Sequence, residues 1–373
     1  MPLPLAGLKV VDLSRVLAGP YCTQALADLG ADVVKVEHPD GGDETRAWGP
    51  PFAAGESAYF LSVNRGKRSV ALDLKDEDDR LRALAMCSGA DVVVENFRPG
   101  TAERFGLGYE QLREANPGIV HCSITGFGSG REPAGRPGYD FILQAESGLM
   151  SITGPAGGEP HKVGVALVDV LTGLNASVAI LAALHERAGA GRGRRIEVSL
   201  LDSALAALVN VAQGTLVTGE EAGRYGNAHP NIVPYQPFRT ADGHVAVAAP
   251  NDGLWRRMCE AIGREDLAAD PRFATNPDRV RNRDALVPDL ERTFAERDAG
   301  AWVDALLAAG VPAGKVRGVR EAFEAAAEAG RPGTVRVDHP AAGPLDLVAS
   351  PFLLDGEVAQ VLQAPPLLGE EAG

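Results

Sequence analysis

Between Lys9 and Thr125, short apolar runs edged by glycine, proline or acidic residues alternate with stretches in which apolar residues recur every three to four positions. The runs Lys9–Leu13, Asp32–Glu37, Ser69–Leu74, Asp91–Glu95 and Gly118–Thr125 predict strands, and the periodic stretches Gly19–Leu29, Asp76–Cys87 and Pro99–Phe105 predict helices. Apolar strands alternating with helices imply an α/β fold whose mostly parallel sheet is covered on both faces. Right-handed crossovers would make it a Rossmann-like layer structure.

Further along, the pattern predicts a helix that opens at Val168-Asp169 and runs to about Arg187, a strand at Arg194–Ser199 and a helix over Leu200–Gly219. The pattern changes at Arg224. Gly226–Asn231 and Pro234–Pro237 read as loops, followed by a hairpin about Thr240–Gly243 and helices at Gly253–Ile262, Arg279–Glu296 and Ala299–Ala309. Strand-like pieces return at Thr334–Val337 and Leu345–Val348. The expected organisation is a large Rossmann-like domain over 1–223, a smaller α+β domain over 224–316, and a segment over 317–373 that returns to the large domain.

A chain of 373 residues is long enough for a substantial core and two domains. Its net charge of −14 argues against a nucleic-acid partner or an anionic membrane, since both need a positive field; an anionic ligand must be met by local basic residues. The opening Met1–Gly7 carries neither the basic region nor the apolar core of a signal peptide, so a cytoplasmic protein is expected. Cys22, Cys87, Cys122 and Cys259 form no CxxC pair and read as buried free thiols rather than a zinc site or a disulfide framework. The run Val163–Leu184 is long enough to cross a bilayer, but its Asp169, Thr172, Gly173, Asn175 and Ser177 fit a packed core helix.

Asp169 is the only charged residue in that run, and burying a lone carboxylate is costly unless something uses it. It follows a glycine-rich loop, Gly154–Gly164, and sits where a helix begins, so its charge gains from the macrodipole and the free N–H groups. On these grounds a helix cap and a catalytic carboxylate stand level. A dinucleotide enzyme fits poorly. The turn Ser14–Pro20 contains no GxGxxG, the third glycine of Gly126–Gly130 comes one place early, and Glu37 reads as a surface carboxylate at a strand end.

Asp12–Pro20, Gly41–Gly49, Asn64–Ser69, Glu95–Gly100, Gly138-Tyr139-Asp140, Gln144-Ala145, Ser147-Gly148, Thr153-Gly154 and Asp169 occur in one order. Together they closely resemble the class III CoA-transferase family, which also contains the 2-methylacyl-CoA racemases, from about Leu5 to Gly369. The resemblance implies that Asp169 attacks an acyl-CoA thioester to form a mixed anhydride, which the CoA thiolate opens to an aspartyl-CoA thioester; the acceptor acid then reverses the sequence. It implies no metal and no permanently bound cofactor, coenzyme A and acyl-CoA being substrates. It further implies a homodimer of interlocked chains, in which the linkers Gly219–Asn231 and Val311–Pro332 matter, and an ending shortened by the family's usual terminal helix.

The positions that match the family's CoA contacts are Leu72, Asp73, Leu74, Lys75, Asn96, Phe97, Arg98, Arg104, Tyr139 and Asp140, and those near its acyl pocket are Leu17, Trp48, Tyr59 and Asn251. His38 and Pro137 stand where close relatives carry Arg or Lys, with Arg136 as a substitute for the second. Apart from the resemblance, Lys75, Arg98 and Arg104 read as solvated charges, and Trp48 and Tyr59 as core or interface aromatics. The basic cluster Asn64–Arg68 reads either as an attractor for CoA or as a turn before a strand.

Two activities follow from the resemblance. The first is transfer of CoA from an acyl-CoA, with succinyl-CoA a candidate donor, to a carboxylic acid. The alternative is racemisation or epimerisation of a 2-methylacyl-CoA, which needs two proton-transfer groups flanking the α-carbon. The racemases carry His where this chain has Tyr139 and an acid at the position aligned with Asn251. A phenol of pKa about 10 and an amide replace them poorly, so transfer is favoured. Formate or oxalate specificity is disfavoured as well. Formyl-CoA transferases place Gln at the position of Leu17 and a longer glycine loop where this chain has Pro250–Gly253.

Overall fold

The computed structural model describes residues 2–129 and 136–371, so the end of the Gly126–Gly130 stretch lies outside the described residues. Six strands, β1 (Lys9–Asp12), β2 (Asp32–Glu37), β3 (Lys67–Ala71), β4 (Val92–Glu95), β5 (Val120–Thr125) and β6 (Arg195–Ser199), form one sheet. Their order is β3-β2-β1-β4-β5-β6, and every neighbouring pair is parallel. The order therefore reverses between β1 and β4.

Alternation along the strands supplies both faces of this sheet. Val10, Val33, Val92 and Val94 pack with Cys22 and Leu26 of helix α1 (Ala18–Asp28). Val11, Val36, Val70 and Val93 pack instead with Ala83 and Cys87 of α2 (Glu77–Ser88) and Leu112 of α3 (Tyr109–Ala115). A short helix α4 (Asp140–Glu146) precedes α5 (Leu167–Ala190), which buries Val168, Thr172, Ala176, Ile180 and Ala183 along one stripe. Helix α5 is apolar and long enough to span a membrane by composition, yet this stripe is spent on the core it shares with α1 and the sheet. Gly173 lets α1 and α5 meet closely: a Cβ there would stand 2.6 Å from the Ala18 carbonyl oxygen. Asp169, one turn earlier on α5, is thereby brought to the start of α1. All four cysteines are buried free thiols.

The chain divides into two compact units, one of residues 1–149, 162–220 and 326–373 and the other of 150–161 and 221–325. The second unit has its own antiparallel sheet, β7 (Tyr235–Arg239), β8 (His244–Ala248) and β9 (Ala313–Lys315), over a core of Phe238, Trp255, Met258, Phe294 and Trp302. In the first unit the C-terminal stretch is tied to the sheet edge. The Gly66 N–H donates to the Gln363 carbonyl at 3.0 Å, and the Gly369 N–H to Ser69 Oγ at 3.1 Å.

Several expected elements differ, each for a local reason. Strand β3 begins at Lys67 rather than Ser69, because Lys67 and Ser69 point inward to buried partners, Asp12 and Glu37, and so hide the strand's apolar signature. The helix expected over Leu200–Gly219 is two, α6 (Leu200–Ala207) and α7 (Val209–Thr218), bent by 79° where Val209 takes φ +36°. Pro234–Pro237 is mostly strand, since Pro237 lies on edge strand β7, where its missing N–H costs nothing. Arg279–Glu296 is broken at Asn282, whose amide donates to the Asp278 and Arg272 carbonyls. Helix α3 and a helix at Val319–Glu328 have no counterpart in the expectations.

Candidate active site

In a parallel sheet the loops leaving the carboxyl ends of the strands open a crevice where the strand order reverses. Here the segments Arg15–Ala18 after β1, Asn96–Pro99 after β4 and Thr125–Gly128 after β5 line a cleft of about 270 Å3, closed by Arg136–Tyr139 and Asp169. The loop after β5 comes against Gly138 with almost no room, a Cβ on Gly126 standing 2.8 Å from the Gly138 Cα.

Asp169 lies within the first turn of α5, but it is not the cap. The cap position is Ala166, which makes no side-chain bond. Asp140 on α4 does the capping from outside. One of its carboxylate oxygens accepts the Val168 N–H at 2.7 Å and the Asp169 N–H at 3.3 Å. Gln144, one turn along α4, donates to the other Asp140 oxygen at 2.6 Å and accepts the Val163 N–H at 2.8 Å, fixing the segment that leads into α5. The Asp169 side chain is thus left free to face the cleft. Burial, and then the Asp140 carboxylate beside it, push its pKa up to about 7.

An aromatic pair stands in reach of this charge. Trp48 and Tyr59 meet edge to face with centroids 5.3 Å apart. Burial, followed by the negative charges of Asp169, Asp140 and Asp43, raises the Tyr59 hydroxyl to about 12, so Tyr59 remains a neutral donor near Asp169.

Among the expected residues, the cleft gathers Leu17, Asn96, Phe97, Arg98, Tyr139 and Asp169. Asn96 is committed to the protein itself: its Oδ1 accepts the Arg15 N–H at 2.9 Å and its Nδ2 donates to the Arg15 carbonyl at 2.7 Å. Phe97 is anchored in turn, its N–H donating to Glu95 at 2.7 Å; burial raises that carboxyl to about 7. Leu72, Asp73, Leu74, Lys75 and Arg104 do not line the cleft. Leu72 is core, Asp73 accepts the Lys75 N–H at 2.9 Å, and Arg104 bonds Thr101 Oγ1 at 2.9 Å. Asn251 belongs to the second unit, where its side chain caps the helix Asp252–Ala261 by accepting the Leu254 N–H at 2.9 Å.

One reading of a charged residue is corrected, and one left open is decided. Glu37 is buried rather than a surface carboxylate, held by the Arg46 guanidinium at 2.8 Å and by Ser69 at 2.6 Å. Of the two readings of Asn64–Arg68, the turn before a strand is the one that fits: Arg65 pairs with Asp28 at 2.6 Å and Lys67 with Asp12 at 3.1 Å, all four buried, and the partly exposed Arg68 pairs with Asp32 at 2.7 Å. Burial alone would raise the Asp12 carboxyl, but Lys67 and Lys35 bring it down to about 2. Residues the motif reading passed over include Arg15, which lines the cleft and, like Arg98, has no carboxylate partner among the described residues. Arg136 lines it too, stacked 4.5 Å over the Phe127 ring and paired with Glu146.

Residues 5–372 match the family model described as CoA-transferase family III. A succinyl-CoA:glutarate CoA-transferase of Mus musculus is 41% identical over 367 residues, covering 98% of this chain and 84% of that protein. A succinyl-CoA:mesaconate CoA-transferase of Haloarcula hispanica is 42% identical over 376 residues, covering 98% and 94%. In three dimensions the chain is similar to a CAIB/BAIF family protein from Brucella suis, with TM-score 0.89 and 41% identity over 99% of this chain and 97% of that one.

Proposed function

Because the chain belongs to CoA-transferase family III and is an enzyme of that type, we propose that it moves CoA from succinyl-CoA to a short dicarboxylic acid through a covalent intermediate on Asp169. The observation that carries the reading is the placement of Asp169: a carboxylate in the first turn of α5, left uncommitted by the Asp140 cap and facing the cleft. Burial makes it a stronger nucleophile than a solvated carboxylate, and the positive end of the helix favours its ionised form.

The reaction runs in four displacements that balance without a redox partner. An Asp169 oxygen bonds the thioester carbonyl carbon, the C–S bond breaks, and CoA leaves as thiolate, giving an aspartyl-acyl anhydride. The thiolate then adds to the aspartyl carbonyl and expels the donor acid as carboxylate. The acceptor carboxylate attacks the resulting aspartyl thioester, releasing thiolate again. In the last step the thiolate takes the acceptor's acyl carbon and returns Asp169 as carboxylate.

Arg15 and Arg98, which line the cleft without a carboxylate partner among the described residues, would meet the phosphates of CoA and a distal substrate carboxylate. Support for a dicarboxylate acceptor comes from the names of the relatives, which act on glutarate and mesaconate. Leu72–Lys75 and Arg104 would serve the adenine end of CoA, Tyr139 and Asp140 the neighbourhood of the thioester, and Leu17, Trp48 and Tyr59 the acyl group. The large unit is read as Rossmann-like on its strand order. An interlocked homodimer accounts for the apolar faces left open on α7, where Val209, Leu216 and Val217 are 66%, 78% and 74% exposed. The test is turnover by Asp169→Ala: loss of exchange between succinyl-CoA and glutarate with CoA binding retained is the expected result, and retained turnover overturns the mechanism.

A further inference from the structure

The loop after β1 forms one wall of the cleft, and its backbone is strained. Val16 adopts φ +70°, a left-handed conformation that a β-branched residue avoids. Such strain persists only where the surroundings over-determine it. Here five consecutive backbone polar groups are each held by a side chain. The Ser14 N–H donates to Asp12 Oδ1 at 2.9 Å, and the Ser14 carbonyl accepts from Lys35 Nζ at 2.7 Å. The Arg15 N–H and carbonyl are both taken by Asn96. The Val16 N–H is shared between the two oxygens of Asp43, at 3.3 and 3.2 Å.

Asp43 is the hub of this arrangement. It pairs with Lys35 at 2.9 Å, both side chains being fully buried, and it accepts the Thr45 N–H at 3.0 Å and hydroxyl at 2.8 Å. One carboxylate therefore joins the Gly41–Gly49 stretch to the cleft wall at Val16, and Lys35 joins β2 to the same loop two residues earlier, at Ser14. Asp43 does not line the cleft, whereas Arg15, Val16, Leu17 and Ala18 all do.

We propose that Asp43, with its partner Lys35, is a positioning residue for the transfer reaction: it holds Val16 in the left-handed conformation that turns Arg15–Ala18 toward Asp169. The inference rests on the assignment of the cleft as the transferase site. Asp43→Asn keeps the size of the side chain but removes the charge, weakening the hold on Val16 and leaving Lys35 without its buried counter-ion. The loop can then relax to φ < 0 and the wall moves. A misplaced wall costs the reaction about tenfold or more in kcat.

The test compares CoA exchange kinetics and Tm for the wild type, Asp43→Asn, Asp43→Asn with Val16→Gly, and Asp169→Ala. Glycine enters the left-handed region without help. The expected result is a kcat lost in Asp43→Asn and largely recovered when Val16→Gly is added, while Tm stays low in both. A purely structural role for Asp43 predicts that kcat and Tm move together, and that pattern overturns the proposal, as does a wild-type kcat in Asp43→Asn. Should Asp43→Asn not fold, Val16→Gly and Val16→Pro in the otherwise native chain decide: proline cannot reach positive φ, so its kcat must be at least about tenfold below that of the glycine variant. Equal values overturn the proposal. Turnover by Asp169→Ala would instead overturn the assignment of the site, which keeps the two failures apart.

Discussion

One oxygen of Asp140 accepts the backbone N–H of Asp169 at 3.3 Å, so the carboxylate that caps α5 also sets the charge environment of the proposed nucleophile. The two roles are separable. The cap needs an oxygen acceptor, whereas the effect on Asp169 needs the negative charge.

Asp140→Asn keeps the acceptor and removes the charge. With Asp169 titrating at about 7 because of burial and Asp140, kcat/KM for the wild type should rise through that pH as the nucleophile ionises. In Asp140→Asn the rise should move to lower pH, measured as the midpoint of the acid limb. An unmoved midpoint contradicts the assignment of that limb to Asp169.

The same raised pKa predicts a stability effect. From its ordinary value of 3.8 up to about 7, the folded state keeps a proton on Asp169 that the unfolded chain has lost. Stability from this group is therefore complete below 3.8, declines as pH rises and is gone above about 7. Asp169→Asn removes the penalty, so its Tm should exceed that of the wild type at pH 8 and match it near pH 4, as read by calorimetry across that range.

The large sheet was legible in the sequence, because apolar runs of four to six residues between turn signals admit few other readings; the family was legible only as a resemblance, through the order of its motifs from Asp12–Pro20 to Asp169. The location of Asp169 in the first turn of a helix was legible for the same reason. Its cap was not. Asp140 lies far from α5 along the chain, and only the folded backbone shows that its oxygen meets the Val168 N–H. Glu37 reads as a surface carboxylate because a charge normally signals solvent, and for the same reason the sequence leaves the role of Arg65 and Lys67 open; in the fold each of the three is neutralised by a buried partner, Arg46, Asp28 and Asp12. The strain at Val16 has no sequence signature at all, since valine gives no hint of positive φ.

Arg15 and Arg98 face the cleft as exposed cations without carboxylate partners among the described residues. Replacing either by Ala should raise KM for succinyl-CoA by about tenfold, corresponding to about 1.4 kcal/mol for one charge-assisted phosphate or carboxylate contact, with kcat changed much less. The loss should shrink in high salt, where screening already weakens the contact. Steady-state kinetics at two ionic strengths checks both statements.

A racemase would exchange the α-proton of a 2-methylacyl-CoA with solvent without any acceptor acid. Tyr139, half exposed at the start of α4, and Asn251, whose side chain caps a helix of the second unit, supply no base for that step. Incubation in D2O followed by mass spectrometry should show no deuterium at the α-carbon, and wash-in would restore epimerisation as the activity.

Transfer by the proposed route requires that Asp169 itself carry the CoA group between donor and acceptor. Intact-protein mass spectrometry after mixing the enzyme with succinyl-CoA in the absence of acceptor, followed by peptide mapping, tests it directly. The expected result is a CoA thioester on the peptide containing Asp169, discharged when the acceptor acid is added and absent in Asp169→Ala. Turnover with no adduct on that peptide, or an adduct on another residue, would contradict it.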